Sequence, residues 1–102
     1  MFINKAPNRK NNLCGANVAR LRKTMGISQR ELAIRLQIAG LDIEKNGIQR
    51  IEAGLRFVTD IELTFLSYVL SVEIETLLTP DSRLEELFKD TPAPEEDMGI
   101  SL

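Results

Sequence analysis

The chain has 102 residues, 43% of them hydrophobic, and a formal net charge of -2. That length fits a single domain with its own core and a modest margin of stability. Histidine is absent, which excludes Ser-His-Asp and Cys-His nucleophilic sites and His-ligated zinc. No Gly-rich phosphate loop appears either, so neither an enzyme nor a bound cofactor is expected.

The charge is unevenly placed. Residues 1–30 hold seven basic residues and no acidic one, whereas residues 81–102 hold seven acidic and two basic. A basic front and an acidic tail suit a molecule with one end turned to a polyanion, or two ends that are simply solvated. No run of about 18 apolar residues suggests a membrane span. The N-terminal stretch lacks a signal-peptide core, and the single cysteine, Cys14, cannot form an internal disulfide. Both features point to the cytoplasm. Cys14 reads as a small apolar residue near the first helix.

In chain order, residues 1–11 are polar and basic and read as a flexible arm. It either does nothing or brings Lys5, Arg9 and Lys10 near phosphates. The first helix is expected over 12–25, with Leu13, Val18, Leu21 and Met25 on its core face and Gly26 as its stop. Ser28-Gln29-Arg30-Glu31 has the pattern of a capping box, with Ile27 and Leu32 spaced as a hydrophobic staple. The second helix then points Leu32, Ala33 and Leu36 inward and leaves Gln29, Arg30 and Arg35 for solvent or a ligand. A connector is expected over 37–43, pivoting on Gly40.

The third helix is expected from Glu44 to Ala53 and ends at Gly54. Ile48 and Ile51 face inward, and Lys45, Asn46, Gln49 and Arg50 make its polar side. Gly47 inside it costs about 1 kcal/mol relative to Ala. Its presence implies either close packing or the approach of something from outside. Thr59-Asp60-Ile61-Glu62 is a second capping box, and the fourth helix runs to Leu70 with Leu63, Leu66 and Leu70 inward. A short fifth helix over 73–78 adds Ile74, Leu77 and Leu78. Pro80 suits the start of an extra helix over 79–89, with Leu84, Leu87 and Phe88 on one side. Those three either pack on their own domain or meet a second copy. Residues 90–102 form an acidic tail expected to be disordered.

Two short helices joined by a turn, the second bearing long polar side chains, suit the DNA major groove. Asn and Gln can pair bidentately with adenine, and Arg or Lys with guanine. Lys45, Asn46, Gln49 and Arg50 are the candidate base contacts. Gln29 and Arg30, with the free amides at the start of the second helix, are candidate phosphate contacts.

At three stretches, Val18-Ala19-Arg20-Leu21-Arg22-Lys23, Gly26-Ile27-Ser28-Gln29-Arg30-Glu31-Leu32-Ala33 and Ile48-Gln49-Arg50-Ile51-Glu52-Ala53-Gly54, the chain resembles the Cro/CI-type (Xre-type) helix-turn-helix regulators. The likeness spans residues 15–78. It implies an all-α, compact five-helix lambda-repressor-like domain that binds double-stranded DNA as a homodimer and regulates transcription, as a repressor above all. It further implies that Arg56 touches phosphate and that Arg22 and Glu52 form an internal ion pair. The connector is about five residues longer than in short members of that family, which we read as an extra helical turn. Glu44 and Gly47 depart from the common pattern of a small hydroxyl cap and a Ser or Thr. A protein-interaction module such as an antitoxin, with a partner bound through residues 79–102, is the alternative reading of the fold.

Overall fold

A computed structural model describes residues 9–79. These residues are all-helical, in five helices: α1 (Gly15–Thr24), α2 (Gln29–Ala39), α3 (Lys45–Glu52), α4 (Asp60–Leu70) and α5 (Ile74–Leu78). Residues 1–8 of the arm expected over 1–11, residues 80–89 of the expected extra helix and the acidic tail lie outside the described residues. No described helix is long and apolar enough to cross a membrane.

The core is one cluster. Val18 from α1, Leu32, Ala33 and Leu36 from α2, and Ile48 and Ile51 from α3 meet Leu66, Leu70 and Leu77, with Cys14 and Ile43 closing its ends. The inward faces expected for α2 and α3 are the faces buried. α1 packs on α3, α4 and α5, while α2 packs on α3 and α4, so the α2–α3 pair rests on α1 and α4.

The first helix starts three residues later than its expected bound of 12. Asn12 is the reason: its Oδ1 accepts from the Gly15 amide at 2.8 Å, capping the helix from before its first turn. Leu13 therefore precedes the helix and is exposed, as is Met25 at the other end. Both were expected in the core. Their places are taken by Cys14 and by Asn17, a buried polar residue. Asn17 Nδ2 donates to the carbonyls of Leu77 and Thr79, each at 2.8 Å, and Asn17 Oδ1 accepts from Arg20 Nη2. The amide thus satisfies carbonyls at the end of α5, which a helix of five residues leaves open.

Ser28 caps α2 as expected, its Oγ accepting from the Glu31 amide. The reciprocal half of the box is replaced by a different bond: the Glu31 carboxylate takes Arg35 Nε at 3.1 Å. In an exposed i,i+4 pair, the guanidinium offers a stronger donor than a backbone amide. At α4 both halves form, Thr59 Oγ1 with the Glu62 amide and Glu62 Oε1 with the Thr59 amide. α2 continues through 37–39, which were expected in the connector, and stops at Gly40 with φ +118. The Leu41 amide bonds back to the Leu36 carbonyl, the closure of a left-handed helix end. Of the expected core residues of α5, only Leu77 is buried; Ile74 and Leu78 are exposed. A helix of little more than one turn presents few positions to the core, and here Leu77 occupies that side.

Candidate nucleic-acid interface

α3 runs eight residues, about 12 Å, from Glu44 as N-cap to Ala53 as C-cap. Ile48 and Ile51 are fully buried. The opposite side carries Lys45, Asn46, Gln49 and Arg50, all exposed. None of the four side chains makes a hydrogen bond or ion pair within the described residues. Asn46, Gln49 and Arg50 line one shallow depression together with Ala53 and Leu55. The structure thus brings together three of the four predicted base contacts, with Lys45 adjoining Asn46 at the first turn.

The helix is fixed from behind by Glu52. Its carboxylate receives Arg22 Nε at 2.7 Å and Arg22 Nη2 at 3.0 Å. The pair expected between Arg22 and Glu52 is therefore formed, and bidentately. Side-chain exposure is only 11% for Arg22 and 8% for Glu52. Bonding to Glu52 raises the Arg22 pKa above its ordinary value. Arg22 Nη1 also donates to the Ile27 carbonyl at 2.9 Å, tying the turn between α1 and α2 into the same knot.

The three predicted phosphate contacts are placed differently from one another. Gln29, at the start of α2, donates through Nε2 to Glu52 Oε1 at 2.9 Å. Its amide nitrogen is therefore engaged by the internal ion pair, which brings the start of α2 against the last turn of α3. Arg30 is exposed, with no partner among the described residues. Arg56 donates through Nη2 to Glu62 Oε2 at 2.5 Å and is about one third exposed.

Sequence reasoning missed the strap formed by residues 10–12. Asn12 Nδ2 donates to the carbonyls of Ile51 and Arg56, at 3.2 and 2.7 Å. The Asn11 amide donates to the Gly54 carbonyl and Asn11 Nδ2 to the Leu55 carbonyl, while Lys10 Nζ reaches the Ala53 carbonyl at 3.1 Å. The last carbonyls of a helix lack internal partners and carry partial negative charge, so these donors close the end of α3. Lys10 and Asn11 thus belong to the fold rather than to a free arm. The only signal was the run Lys10-Asn11-Asn12, which in sequence looks the same as a polar frayed end.

Two glycines allow the close approaches. A Cβ on Gly15 would sit 2.1 Å from the Ile51 carbonyl oxygen, so α1 touches the backbone of α3. A Cβ on Gly47 would meet Ile43 Cγ1 and Arg56 Nη1, both at 2.7 Å. The unusual Gly47 is thereby explained by internal packing, on the connector and the Arg56 side chain.

Comparison with protein-family models, characterised proteins and solved structures returns no match. Among the described residues, no three His, Cys, Asp or Glu side chains cluster as a metal site would require.

Proposed function

We propose that this chain is a sequence-specific, double-stranded DNA-binding transcriptional regulator of the Cro/CI (Xre) type, acting as a homodimeric repressor in the cytoplasm. The observation that carries the reading is the polar row on α3. Four side chains of base-reading type stand exposed and uncommitted on a helix whose other side is buried and whose last turn is locked to α1 through Glu52. Free donors and acceptors on a rigid helix are what direct readout of base edges needs, since mobile ones would lose entropy on binding. In this reading α3 enters the major groove, Asn46 and Gln49 face adenine, and Lys45 and Arg50 face guanine. Arg30 and the start of α2 lie against the backbone. Arg56 reaches a phosphate by sharing its guanidinium with Glu62, and Gln29 through the second N–H of its Nε2.

The antitoxin-like alternative draws on Glu44. Its exposed carboxylate makes no capping bond and stands at the first turn of α3, where it opposes a polyanion. The test is a gel-shift titration on the chain's preferred duplex. Arg50→Ala should weaken specific binding by about 1–3 kcal/mol and relax the preference at one base pair. Unchanged affinity and preference would remove Arg50 from the interface. A stoichiometric protein partner from cell extract, with no enriched DNA, would favour the alternative.

A further inference from the structure

α4 is apolar on two sides. Leu66 and Leu70 are buried in the core. On the outward side, Ile61 is 64% exposed and Tyr68 75% exposed, with half-buried Phe65 between them in helical spacing. A helix apolar on opposite faces usually has something packed on each. Tyr68 also lines a depression that α4 shares with the start of α5, together with Thr64, Ser67, Val72, Glu73 and Thr76.

The charge around this surface has one sign. From Phe57 to Thr79 there is no lysine or arginine, but there are four acids. Glu62 is held by Arg56. Asp60, Glu73 and Glu75 are exposed, with no ion pair among the described residues. Asp60 adjoins Ile61 at one end of the apolar stripe, and Glu73 shares the depression with Tyr68 at the other. A second copy presenting the same face would set acids against acids, which disfavours self-pairing here.

The chain supplies a complementary segment of its own. Beyond Arg56 its only basic residues are Arg83 and Lys89, and they flank Leu84, Leu87 and Phe88. These three apolar residues share one side at helical spacing, with Glu86 opposite and Glu85 at the flank. The chain leaves the described fold at Thr79, three residues past Thr76 of the depression, with its carbonyl held by Asn17. Five steps from Thr79 to Leu84 reach about 17 Å when extended, enough to turn back over Tyr68. On that path Arg83 would meet Glu73 first. Were the segment helical, Lys89 would lie about 9 Å further on and its long side chain would extend towards Asp60, which is about 12 Å from Tyr68 along α4.

We propose that residues 83–89 fold back onto the outer face of α4. Leu84, Leu87 and Phe88 cover Phe65 and Tyr68, and Arg83 and Lys89 face Glu73 and Asp60. The inference stands whether or not the chain binds DNA.

Tyr68 is the only tyrosine, and there is no tryptophan, so intrinsic emission reports this surface alone. Acrylamide quenching is measured on the full chain, with far-UV circular dichroism as the check on folding. Quenching should be weak in the wild type and unchanged on tenfold dilution of the protein. It should more than double in Leu84→Ser/Leu87→Ser. It should also rise in Lys89→Glu and fall back when Asp60→Lys is added. Tyr68 quenched as readily as a free tyrosine amide in the wild type would overturn the proposal. So would protection that disappears on dilution, since a second copy would then be the cover.

Discussion

Removing the carboxylate at position 52 tests how the candidate reading helix is held. In Glu52→Leu, the Arg22 guanidinium loses two charge-assisted bonds, at 2.7 and 3.0 Å, and keeps only the Ile27 carbonyl. With about a tenth of its side chain exposed, it cannot be rehydrated without opening the α1–α3 contact. Stranding a buried charge costs about 3–5 kcal/mol; the residual exposure favours the lower end, so about 3 kcal/mol is expected. Arg22→Met strands Glu52 in the same way, with Gln29 Nε2 as its remaining donor, and should cost a similar amount. In Arg22→Met/Glu52→Leu no charge is left behind. What remains is an unpaired Ile27 carbonyl and a Gln29 Nε2 without its acceptor, together worth about 1–3 kcal/mol because the amide can turn to water. The double variant should therefore lie about 3 kcal/mol above the sum of the singles, and no lower in stability than either. Urea unfolding followed by circular dichroism reads this directly. With m near 1–1.5 kcal/mol/M for a small domain, each single variant should lose about 2–3 M in midpoint. Additive losses in the double variant would refute the stranded-charge argument.

Three further outcomes follow from the same geometry. Gly15→Ala, which would gain about 1 kcal/mol in an open helix, should instead destabilise by about 2–3 kcal/mol, because its Cβ overlaps the Ile51 carbonyl; a thermal melt showing a gain would contradict the close approach. Asn17→Ala should cost about 1–3 kcal/mol, since it orphans the Leu77 and Thr79 carbonyls, and hydrogen exchange should show α5 loosened more than α2. Burial pushes the Cys14 thiol from 9.0 up to about 11. The native state thus holds this proton more tightly than the unfolded chain. Its contribution is complete below pH 9 and lost as pH rises towards 11, a fall of up to about 2–3 kcal/mol. Cys14→Ala should flatten that fall, and a thiol reagent should label native Cys14 at pH 8 only as fast as the protein unfolds.

Much of the fold was legible because its signals are local. Ser28 and Thr59 announce their helices by caps that need only the next three residues. Gly26 and Gly54 end theirs by positive φ, and Ile48 and Ile51 follow helical spacing into the core; Gly40 ends α2 in the same way, although it reads in sequence as a connector pivot. What was missed is long-range. Asn17 looks like a surface residue until the end of α5, 60 positions away in sequence, is placed against it. Asn12 resembles a frayed terminus until the carbonyls of α3 lie above it. Leu13 read as core because periodicity was extended past a helix start that only Asn12 sets. For the candidate interface, residue type, the position after the turn and the family likeness together mark Lys45, Asn46, Gln49 and Arg50. The bonds that draw Gln29 to Glu52 and Arg56 to Glu62 depend on the helix packing, which spacing does not reveal.

The central claim is that the exposed row on α3 reads DNA sequence. Selection from a random duplex pool with the full chain, followed by titration of the winning sequences at several salt concentrations, tests it most directly. The account predicts enrichment of a two-fold symmetric site with half-sites about 10 base pairs apart. It also predicts a preference over random DNA of at least about 10³-fold that survives added salt better than nonspecific binding does. No enriched sequence, or binding that depends on salt but not on sequence, would contradict it.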